Sequence, residues 1–388
     1  MKPTLTYCTN VHPGETLAEV EASLDRFTVP LKRALAPAPF PADRPFPVGL
    51  YLSAAAAREL ADRARLDRFR GFLDERGLAV VTLNCFPYGG FHGERVKLDV
   101  YRPTWLEERR VEFTLAAARA LARLAPEGVV APISTLAGSC KRFGDDVETR
   151  RGIAANLARV AVELDRLRDE TGREIVLCLE PEPFSTLETS DEVVRFFSDH
   201  LFGAAGRDEA AVRRHVGLCF DACHQAVEFE EPRESIGRIV DGGVRIGKVQ
   251  LSSALSVRAP GESSERREAL ARYAEPRYLH QAFARRRDGR IERWLDLPEL
   301  VARPASELVE LDEVRVHFHV PIDRERLAPL DTTRPFLIDA VKAASRARPA
   351  VLEVETYTFP VLPDGPSRDD ALVAALADEL RFAAEVTP

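Results

Sequence analysis

The sequence predicts an α/β protein in which eight parallel strands alternate with helices, the (β/α)8 TIM-barrel fold. Short runs rich in Val, Ile, Leu and Cys alternate with longer amphipathic segments along the 388-residue chain, as in parallel sheets covered by helices. Several of the runs end in acidic or histidine side chains, where barrel proteins carry their functional groups. The turn after the first run, residues 9–15, lacks the glycine pattern of a nucleotide-binding sheet.

Eight runs have the length and composition of buried parallel strands. Between them lie segments with apolar residues at helical spacing, among them residues 54–75, 105–124 and 146–171. Eight such alternations favour a closed barrel over an open sheet. The predicted strands are Leu5–Thr9, Val48–Leu52, Ala79–Asn84, Val129–Ile133, Ile175–Glu180, Gly217–Asp221, Gly247–Leu251 and Val351–Glu355.

Two segments depart from a minimal barrel. After the third strand, the aromatic and glycine-rich residues 85–93 are long enough to cover the barrel mouth as a lid. Before the last strand, about residues 256–322 form an excursion in which Asp288-Gly289 separates two β-like runs. We expect an inserted β-hairpin unit within a single domain that spans residues 1–388.

Charge and composition exclude several classes of function. The chain has 54 basic and 62 acidic residues, a net charge of −8, which disfavours nucleic acid as a partner. The sequence has no apolar run of about 18 residues and no signal peptide, which predicts a cytoplasmic protein without membrane insertion. Six scattered cysteines indicate reduced, buried side chains rather than a structural zinc cluster.

Ionisable side chains cluster near the ends of four apolar runs. Residues two apart on a strand share a face, so both members of such a pair can point into the barrel mouth. Because charged groups inside strands are costly unless paired, a shared divalent metal would explain their number. The clusters are Glu180 with Glu182, Asp221 with His224, His317 with His319, and Glu353 with Glu355.

Oxygen and imidazole donors of this kind suit Mn²⁺, Mg²⁺, Co²⁺ or Zn²⁺. The main candidate ligands are Glu180, Asp221, His224 and Glu355, and Gln250 at the end of the seventh strand offers a weaker, neutral oxygen. Glu180 and Glu355 are also candidate acid–base catalysts.

Two of the clusters have a plainer alternative. Asp221 and His224 could be a hydrogen-bonded pair that caps the next helix. His317 and His319 could be exposed residues of an edge strand, because Pro321 ends their run.

In each glutamate pair we expect one carboxylate to face the metal and the other to form a salt bridge or to contact substrate. Glu355 lies nearer its strand end than Glu353 and is the predicted ligand of that pair. Glu182 and Glu353 are predicted substrate contacts. So are His12 and His92, which follow the first and third strands.

The strand ends resemble those of the xylose isomerase-like TIM-barrel superfamily, which includes sugar isomerases, ketose epimerases and endonuclease IV. The matching motifs are Glu180-Pro, Phe-Asp221-x-x-His224 and Leu-Glu-Val-Glu355-Thr. The resemblance implies that Glu180, Asp221 and Glu355 bind a divalent metal and that His224 binds the metal or the substrate.

The seventh strand departs from that pattern. Sugar isomerases and epimerases of the superfamily usually carry a metal-binding histidine there, and Gln250 stands in its place. We expect His280, His317 or His319 to replace it, or the metal site to be altered.

The whole chain also resembles the EboE family of ebo-cluster metabolite-traffic proteins. That resemblance implies a role in exporting a metabolite precursor, with other ebo-cluster proteins as partners. It lies in five motifs: Leu-Thr-Tyr-Cys-Thr-Asn-Val-His-Pro-Gly-Glu at residues 5–15, Phe-Pro-Tyr-Gly-Gly-Phe-His at 86–92, Tyr-Leu-His-Gln at 278–281, Val-His-Phe-His-Val-Pro at 316–321 and Leu-Glu-Val-Glu-Thr-Tyr-Thr at 352–358.

Three functions stay open from the sequence. The first is a metal-dependent isomerase or epimerase acting on a small polyhydroxylated metabolite. The second is an endonuclease IV-like, metal-dependent phosphoesterase, for which the net charge of −8 disfavours DNA as the substrate. The third is a non-catalytic metabolite-binding protein. Exposed aromatic loops leave room for a homodimer.

Overall fold

The computed structural model describes residues 2–387. The strands are β1 (Thr4–Tyr7), β2 (Phe46–Tyr51), β3 (Leu78–Asn84), β4 (Val130–Leu136), β5 (Glu174–Glu180), β6 (Val216–Asp221), β7 (Ile246–Leu251), β8 (Leu255–Arg258), β9 (Ala282–Arg286), β10 (Ile291–Trp294), β11 (Leu311–Val316), β12 (Arg326–Leu327), β13 (Leu330–Thr332) and β14 (Val351–Val354). The α-helices are α1 (Leu17–Ser23), α2 (Val29–Leu35), α3 (Ala54–Glu59), α4 (Arg63–Arg76), α5 (Glu108–Leu124), α6 (Val147–Thr171), α7 (Ser190–Phe196), α8 (Glu209–His215), α9 (Ala222–Val227), α10 (Pro232–Asp241), α11 (Ser264–Ala271), α12 (Leu297–Val301), α13 (Ala305–Leu308), α14 (Arg334–Ala344) and α15 (Asp369–Val386).

Strands β1–β7 and β14 form the barrel. Neighbouring strands are parallel, in the order β1–β14–β7–β6–β5–β4–β3–β2. A parallel bridge between Cys8 and Gly49 joins the two ends of the sheet, and the Tyr51 amide donates to the Thr9 hydroxyl at 2.9 Å across the same seam. The (β/α)8 prediction is confirmed, and each predicted strand overlaps an observed one.

Helix α6 shows how the sequence builds the outer layer. Asp146 caps it by accepting from the Thr149 amide at 2.8 Å, and Gly172 ends it with a φ of 70°, a left-handed conformation that favours glycine. Leu157 and Val160 between these ends are fully buried, so an apolar stripe packs the helix against the barrel. None of the helices within residues 2–387 has the length and apolarity to span a membrane.

The segment between β7 and β14 folds into a second sheet, which is antiparallel and has the strand order β10–β9–β11–β8–β13–β12. Strands β9 and β10 pair on either side of Asp288 and Gly289. This inserted sheet runs from Leu255 to Thr332. It is therefore larger than the hairpin unit expected for residues 256–322. Its own apolar core includes Leu255, Val257, Leu297, Val314 and Phe318.

A charge network around Arg293 attaches the inserted sheet to the barrel. One guanidinium nitrogen lies 2.7 Å from a Glu188 oxygen and 3.2 Å from a Glu228 oxygen, and the guanidinium carbon lies 4.3 Å from the Phe283 ring centroid. Both glutamate side chains are almost fully buried, so their charges need this partner. The contact fixes the inserted sheet against the loop that follows β5 and against the C-terminal end of α9.

Candidate metal centre

Three carboxylates meet at the mouth of the barrel. Glu180 and Asp221 are the last residues of β5 and β6, and Glu355 directly follows β14. All three side chains are buried, and one oxygen of each lies within 4.8 Å of the other two. The structure thus brings together the three carboxylates predicted to bind metal.

Asp221 uses its two oxygens differently. Oδ1 accepts from the His224 amide at 2.9 Å and from the Ser252 hydroxyl at 2.8 Å, which makes Asp221 the N-cap of α9. Oδ2 is buried without a hydrogen-bond partner among the described residues. Burial acts to raise the pKa of Asp221, but His224, His319 and these hydrogen bonds outweigh it and lower the pKa. One side chain therefore combines a cap with an ionised oxygen that is free for a metal.

Three histidines lie beside these carboxylates, and we call His224, His317 and His319 the histidine cluster. His224 lies on α9, whereas His317 and His319 follow β11 of the inserted sheet. All three side chains are buried, so the alternative of an exposed edge strand is wrong. Nε2 of His224 lies 3.0 Å from Nε2 of His317 and 3.4 Å from Nε2 of His319.

Hydrogen bonds at Nδ1 fix the orientation of each ring in the histidine cluster. Two rings donate to backbone carbonyls at 2.9 and 2.8 Å, and the third donates to the side-chain oxygen of Gln281 at 2.6 Å. A carbonyl oxygen only accepts, so each ring carries its proton on Nδ1, and the Nε2 lone pair of His224 lies against those of His317 and His319. That arrangement is repulsive unless a cation lies among the Nε2 atoms. The pairs are His224 with Pro181, His319 with Glu355, and His317 with Gln281.

The spacing of His224 from His317 and from His319 fits ligands of a divalent metal ion. Two imidazole nitrogens bound to one ion at about 2.1 Å are about 3.0 Å apart in octahedral and about 3.4 Å apart in tetrahedral coordination. The observed Nε2 separations are 3.0 and 3.4 Å. Burial lowers the pKa of each ring, that of His319 to about 4, so the rings are neutral, as metal ligands must be. Mixed nitrogen and carboxylate donors favour Zn²⁺, Co²⁺ or Mn²⁺ over Mg²⁺.

Glu180 and Glu355 hold protons more tightly than exposed glutamates do. Burial and the charge of Asp221 raise the pKa of Glu180 to about 8. Burial and the charge of Glu180 raise the pKa of Glu355 well above its usual value. Oε1 of Glu355 also accepts from the side-chain amides of Asn10 and Asn84, both at 2.8 Å. Glu180 can therefore carry a proton at neutral pH, as a general acid must, and burial shifts the pKa of Glu355 in the same direction.

Sequence reasoning missed Asn10, Asn84 and Gln281 as site residues. Asn84 ends the third predicted strand and Asn10 follows the first, so the strand-end criterion that selected the carboxylates could have found both. Gln281 precedes β9 of the inserted sheet. No local pattern indicates that this sheet lies over the barrel mouth.

Two of the predicted metal ligands, His280 and Gln250, do not line the cavity of the site. Nδ1 of His280 donates to the His317 carbonyl at 2.9 Å, and its Nε2 lies 2.7 Å from a Glu275 oxygen. Both ring nitrogens are thus engaged, and His280 supports the backbone of His317. Gln250 is buried on β7 beside Asp221 in the strand register, and its amide has no partner among the described residues.

The two loop histidines lie behind the site. The His12 ring stacks on Phe27 with 4.3 Å between the ring centroids. Nε2 of His92 lies 2.8 Å from the Asn10 carbonyl oxygen. His92 therefore supports the loop whose Asn10 side chain holds Glu355.

Glu353 lies inside the barrel. Its carboxylate forms an ion pair with Lys248 at 2.6 Å, and both side chains are fully buried. Gly49 makes room for this pair, because a Cβ atom there would lie 1.6 Å from Glu353 Oε1. Glu353 is thus a partner of Lys248 rather than a group facing the site.

A cavity of about 50 Å³ lies at this site. Its polar lining consists of the histidine cluster and of the side chains of Asn10, Asn84, Glu180, Glu182 and Glu355, whereas Asp221 does not line it. Its apolar side chains come from the lid and from the loops that follow other strands. The lining residues are Asn10, Asn84, Phe86, Pro87, Phe91, Val100, Glu180, Glu182, His224, His317, His319, Glu355 and Tyr357.

The predicted lid, residues 85–93, covers this cavity. The ring of Phe91 packs against Tyr278 of the insertion and against Tyr357, with centroids 5.1 and 5.2 Å away. The Glu15 carboxylate accepts from the backbone amides of Gly90 and Phe91, both at 2.9 Å. The lid is therefore held by an aromatic contact and by one partly buried carboxylate.

The chain belongs to the xylose isomerase-like TIM barrel family, whose model matches residues 48–275. Three solved structures are similar to the chain. The chain is 14% identical to an L-ribulose 3-epimerase, with 99% of this chain and 93% of that chain covered and a TM-score of 0.48. The chain is 11% identical to the probable 3-DHS dehydratase AsbF from Bacillus anthracis, with 99% of each chain covered and a TM-score of 0.47. It is 12% identical to the IolI protein with a bound zinc atom, with 100% of this chain and 97% of that chain covered and a TM-score of 0.45. No curated protein matches the chain.

Proposed function

We propose that the protein is a metal-dependent isomerase or epimerase that acts on a small polyhydroxylated metabolite. The observation that carries this proposal is that three imidazoles and two glutamates of raised pKa line one cavity, with the Asp221 carboxylate beside the two glutamates. A metal site next to two carboxyls of raised pKa suits chemistry at a carbon beside a carbonyl or a hydroxyl.

Asp221, His224 and His319, whose ligand atoms lie within 4.8 Å of one another, would hold the metal, with Nε2 of His317 next to that of His224 and with Glu180 and Glu355 beside Asp221. A bound divalent ion polarises a carbonyl or hydroxyl oxygen of the substrate. Asp221 supplies the ionised Oδ2, which has no other partner among the described residues.

Glu180 and Glu355 move the proton. One of them accepts a proton from a substrate carbon as the carboxylate, and the other returns a proton from its carboxylic acid form. Asn10 and Asn84 orient Glu355 through two hydrogen bonds to Oε1. The raised pKa of each glutamate keeps both protonation states accessible.

When the lid covers the substrate, it shields the cavity from water. A cavity of about 50 Å³ is smaller than a sugar, so the lid opens to admit the substrate. Phe86 and Phe91 then cover the substrate with apolar surface, which suits the C–H faces of a polyhydroxylated molecule.

Resemblance to the EboE family supports a more specific role. We propose that the substrate is a metabolite of an ebo-type traffic pathway, that other ebo-cluster proteins are partners and that the protein forms a homodimer. A host that carries Glu180→Gln in place of the wild-type gene should accumulate the unconverted metabolite. Normal export in that host would favour a binding role over catalysis.

Exchange of substrate hydrogen with solvent tests the catalytic proposal. We expect protein loaded with Mn²⁺, Co²⁺ or Zn²⁺ to incorporate deuterium from D₂O into at least one sugar of a ketose and aldose panel, followed by NMR. Glu180→Gln and Glu355→Gln should each slow incorporation by about 100-fold or more. Glu148→Gln, on a side chain that is 78% exposed, is the matched control. Absence of incorporation by the metal-loaded protein across the panel would count against the proposal.

A further inference from the structure

Gln281 contacts His317 through both its backbone and its side chain. The Gln281 carbonyl accepts from the His317 amide at 2.8 Å, and Gln281 Oε1 accepts from His317 Nδ1 at 2.6 Å. Gln281 is fully buried. Gln281 is therefore a buried residue in direct contact with the site.

The other half of the Gln281 amide fixes which way the side chain faces. Nε2 donates to the Tyr101 hydroxyl at 2.8 Å, to Glu182 Oε1 at 2.9 Å and to the Pro183 carbonyl at 3.1 Å. Both the carboxylate and the Pro183 carbonyl are acceptors, so the NH₂ group must face them. Oε1 is then left to face His317.

Gln281 is the nearer of two acceptors beside Nδ1 of His317. Nδ1 of His317 lies 2.6 Å from Gln281 Oε1 and 3.3 Å from Glu182 Oε1. The NH₂ group of Gln281 donates to Glu182 and holds that carboxylate in place. The Gln281 oxygen is therefore the atom that accepts from Nδ1 of His317 at the shorter distance. His224 and His319 instead bond to backbone carbonyls, so His317 is the member of the histidine cluster that a side chain orients.

We propose that Gln281 of the insertion is a positioning residue that keeps His317 in the Nδ1–H tautomer with Nε2 directed at the metal. The inference rests on the metal site of the proposed function. It assigns the insertion a role in tuning metal affinity through one side-chain amide.

Metal affinities measured in a double-mutant cycle of Gln281 and His317 test this role. Gln281→Met keeps the volume but neither accepts nor donates, and we expect it to weaken Zn²⁺ or Co²⁺ binding by about 10- to 100-fold in a chelator competition. In the His317→Ala background the same change should have little further effect, because the ligand that Gln281 orients is gone. The visible spectrum of the Co²⁺-loaded variant should also change.

Several outcomes separate the inference from the proposed function. Equal weakening in both backgrounds would show a general structural role and overturn the inference alone, as would unchanged affinity of Gln281→Met. A wild-type protein that binds neither Zn²⁺ nor Co²⁺ would overturn the proposed function and this inference together. Tyr101→Phe, which leaves the contact between Gln281 Oε1 and His317 intact, is the matched control.

A measurement on the unaltered protein keeps the inference testable if Gln281→Met does not fold. The ¹⁵N chemical shifts of the His317 ring in the metal-free protein should report a protonated Nδ1 and an unprotonated Nε2. A proton on Nε2 would overturn the inference.

Discussion

At the scale of single residues, some polar atoms of the site stabilise the fold, and others of the same side chains are free to bind a ligand. Asp221 caps α9 with one oxygen and leaves the other free. His224 donates from Nδ1 to a backbone carbonyl and directs Nε2 into the histidine cluster. The two interpretations of the Asp221 and His224 pair, a helix cap and a metal site, are therefore compatible.

Glu379 on α15 gives a pH-dependent prediction. Its Oε1 accepts from the Thr356 hydroxyl at 2.6 Å and from the Ile322 amide at 3.0 Å. Burial, with a smaller contribution from Asp323, raises its pKa from 4.5 to about 8. A raised folded-state pKa contributes stability that is complete below the unfolded pKa and is lost as pH rises through the folded pKa.

Glu379→Gln keeps the accepting oxygen and removes the ionisation. We expect the free energy of unfolding of this variant, relative to wild type, to rise by about 2 kcal/mol between about pH 6 and about pH 9. Denaturant unfolding at both pH values measures it, and Glu385→Gln on the exposed side of the same helix is the control. A difference that does not vary with pH would show that Glu379 titrates normally in the fold.

At the scale of elements, three kinds of segment build the site. Barrel strands deliver the carboxylates, the inserted sheet delivers His317 and His319, and the lid covers them. The inserted sheet is anchored by Arg293, whose partners lie in the loop after β5 and at the C-terminal end of α9. The barrel strands alone would leave the donor set without two of its imidazoles.

Glu15 is the residue that we expect to control the lid. Its carboxylate accepts from the Gly90 and Phe91 amides and, at 3.1 Å, from the Tyr51 hydroxyl. Hydrogen bonds to a charged acceptor contribute about 1.5–3 kcal/mol each. Glu15→Ala should therefore speed hydrogen exchange at the Gly90 and Phe91 amides by about tenfold or more, with the barrel strands unchanged.

Exchange measured by mass spectrometry or NMR checks the Glu15 prediction. Glu94→Ala, an exposed position just after the lid, is the control. If Glu15→Ala leaves the lid amides protected, the aromatic contacts of Phe91 with Tyr278 and Tyr357 hold the lid without the carboxylate.

At the scale of the whole molecule, the donors come from distant parts of the chain. His224 and His317 are 93 residues apart, and Asn10 and Glu355 are 345 residues apart. The family match ends at residue 275, before His317, His319 and Glu355. A metal bound here would connect the barrel to its insertion and should stabilise both.

Removal of metal should therefore lower the stability of the entire chain. At a free-metal concentration about 100 times the Kd, binding adds about 2.7 kcal/mol to the free energy of unfolding. We expect the Tm in calorimetry to fall when a chelator is added and to recover with Zn²⁺ or Co²⁺. His319→Ala should not respond to metal, whereas His200→Ala, outside the cavity, should respond like wild type. Equal responses of the two variants would argue against the histidine cluster as the site.

The sequence by itself determined the barrel and the carboxylates. Strand and helix periodicity is local, so the eight strands could be predicted within a few residues, and Glu180, Asp221 and Glu355 followed from their positions at strand ends. Tertiary structure decided which histidines join them. It brought His317 and His319 to His224, engaged both nitrogens of His280 with other groups and paired Glu353 with Lys248. The reason is physical: these contacts depend on how the inserted sheet docks on the barrel and on close approach inside it, and no local pattern encodes either.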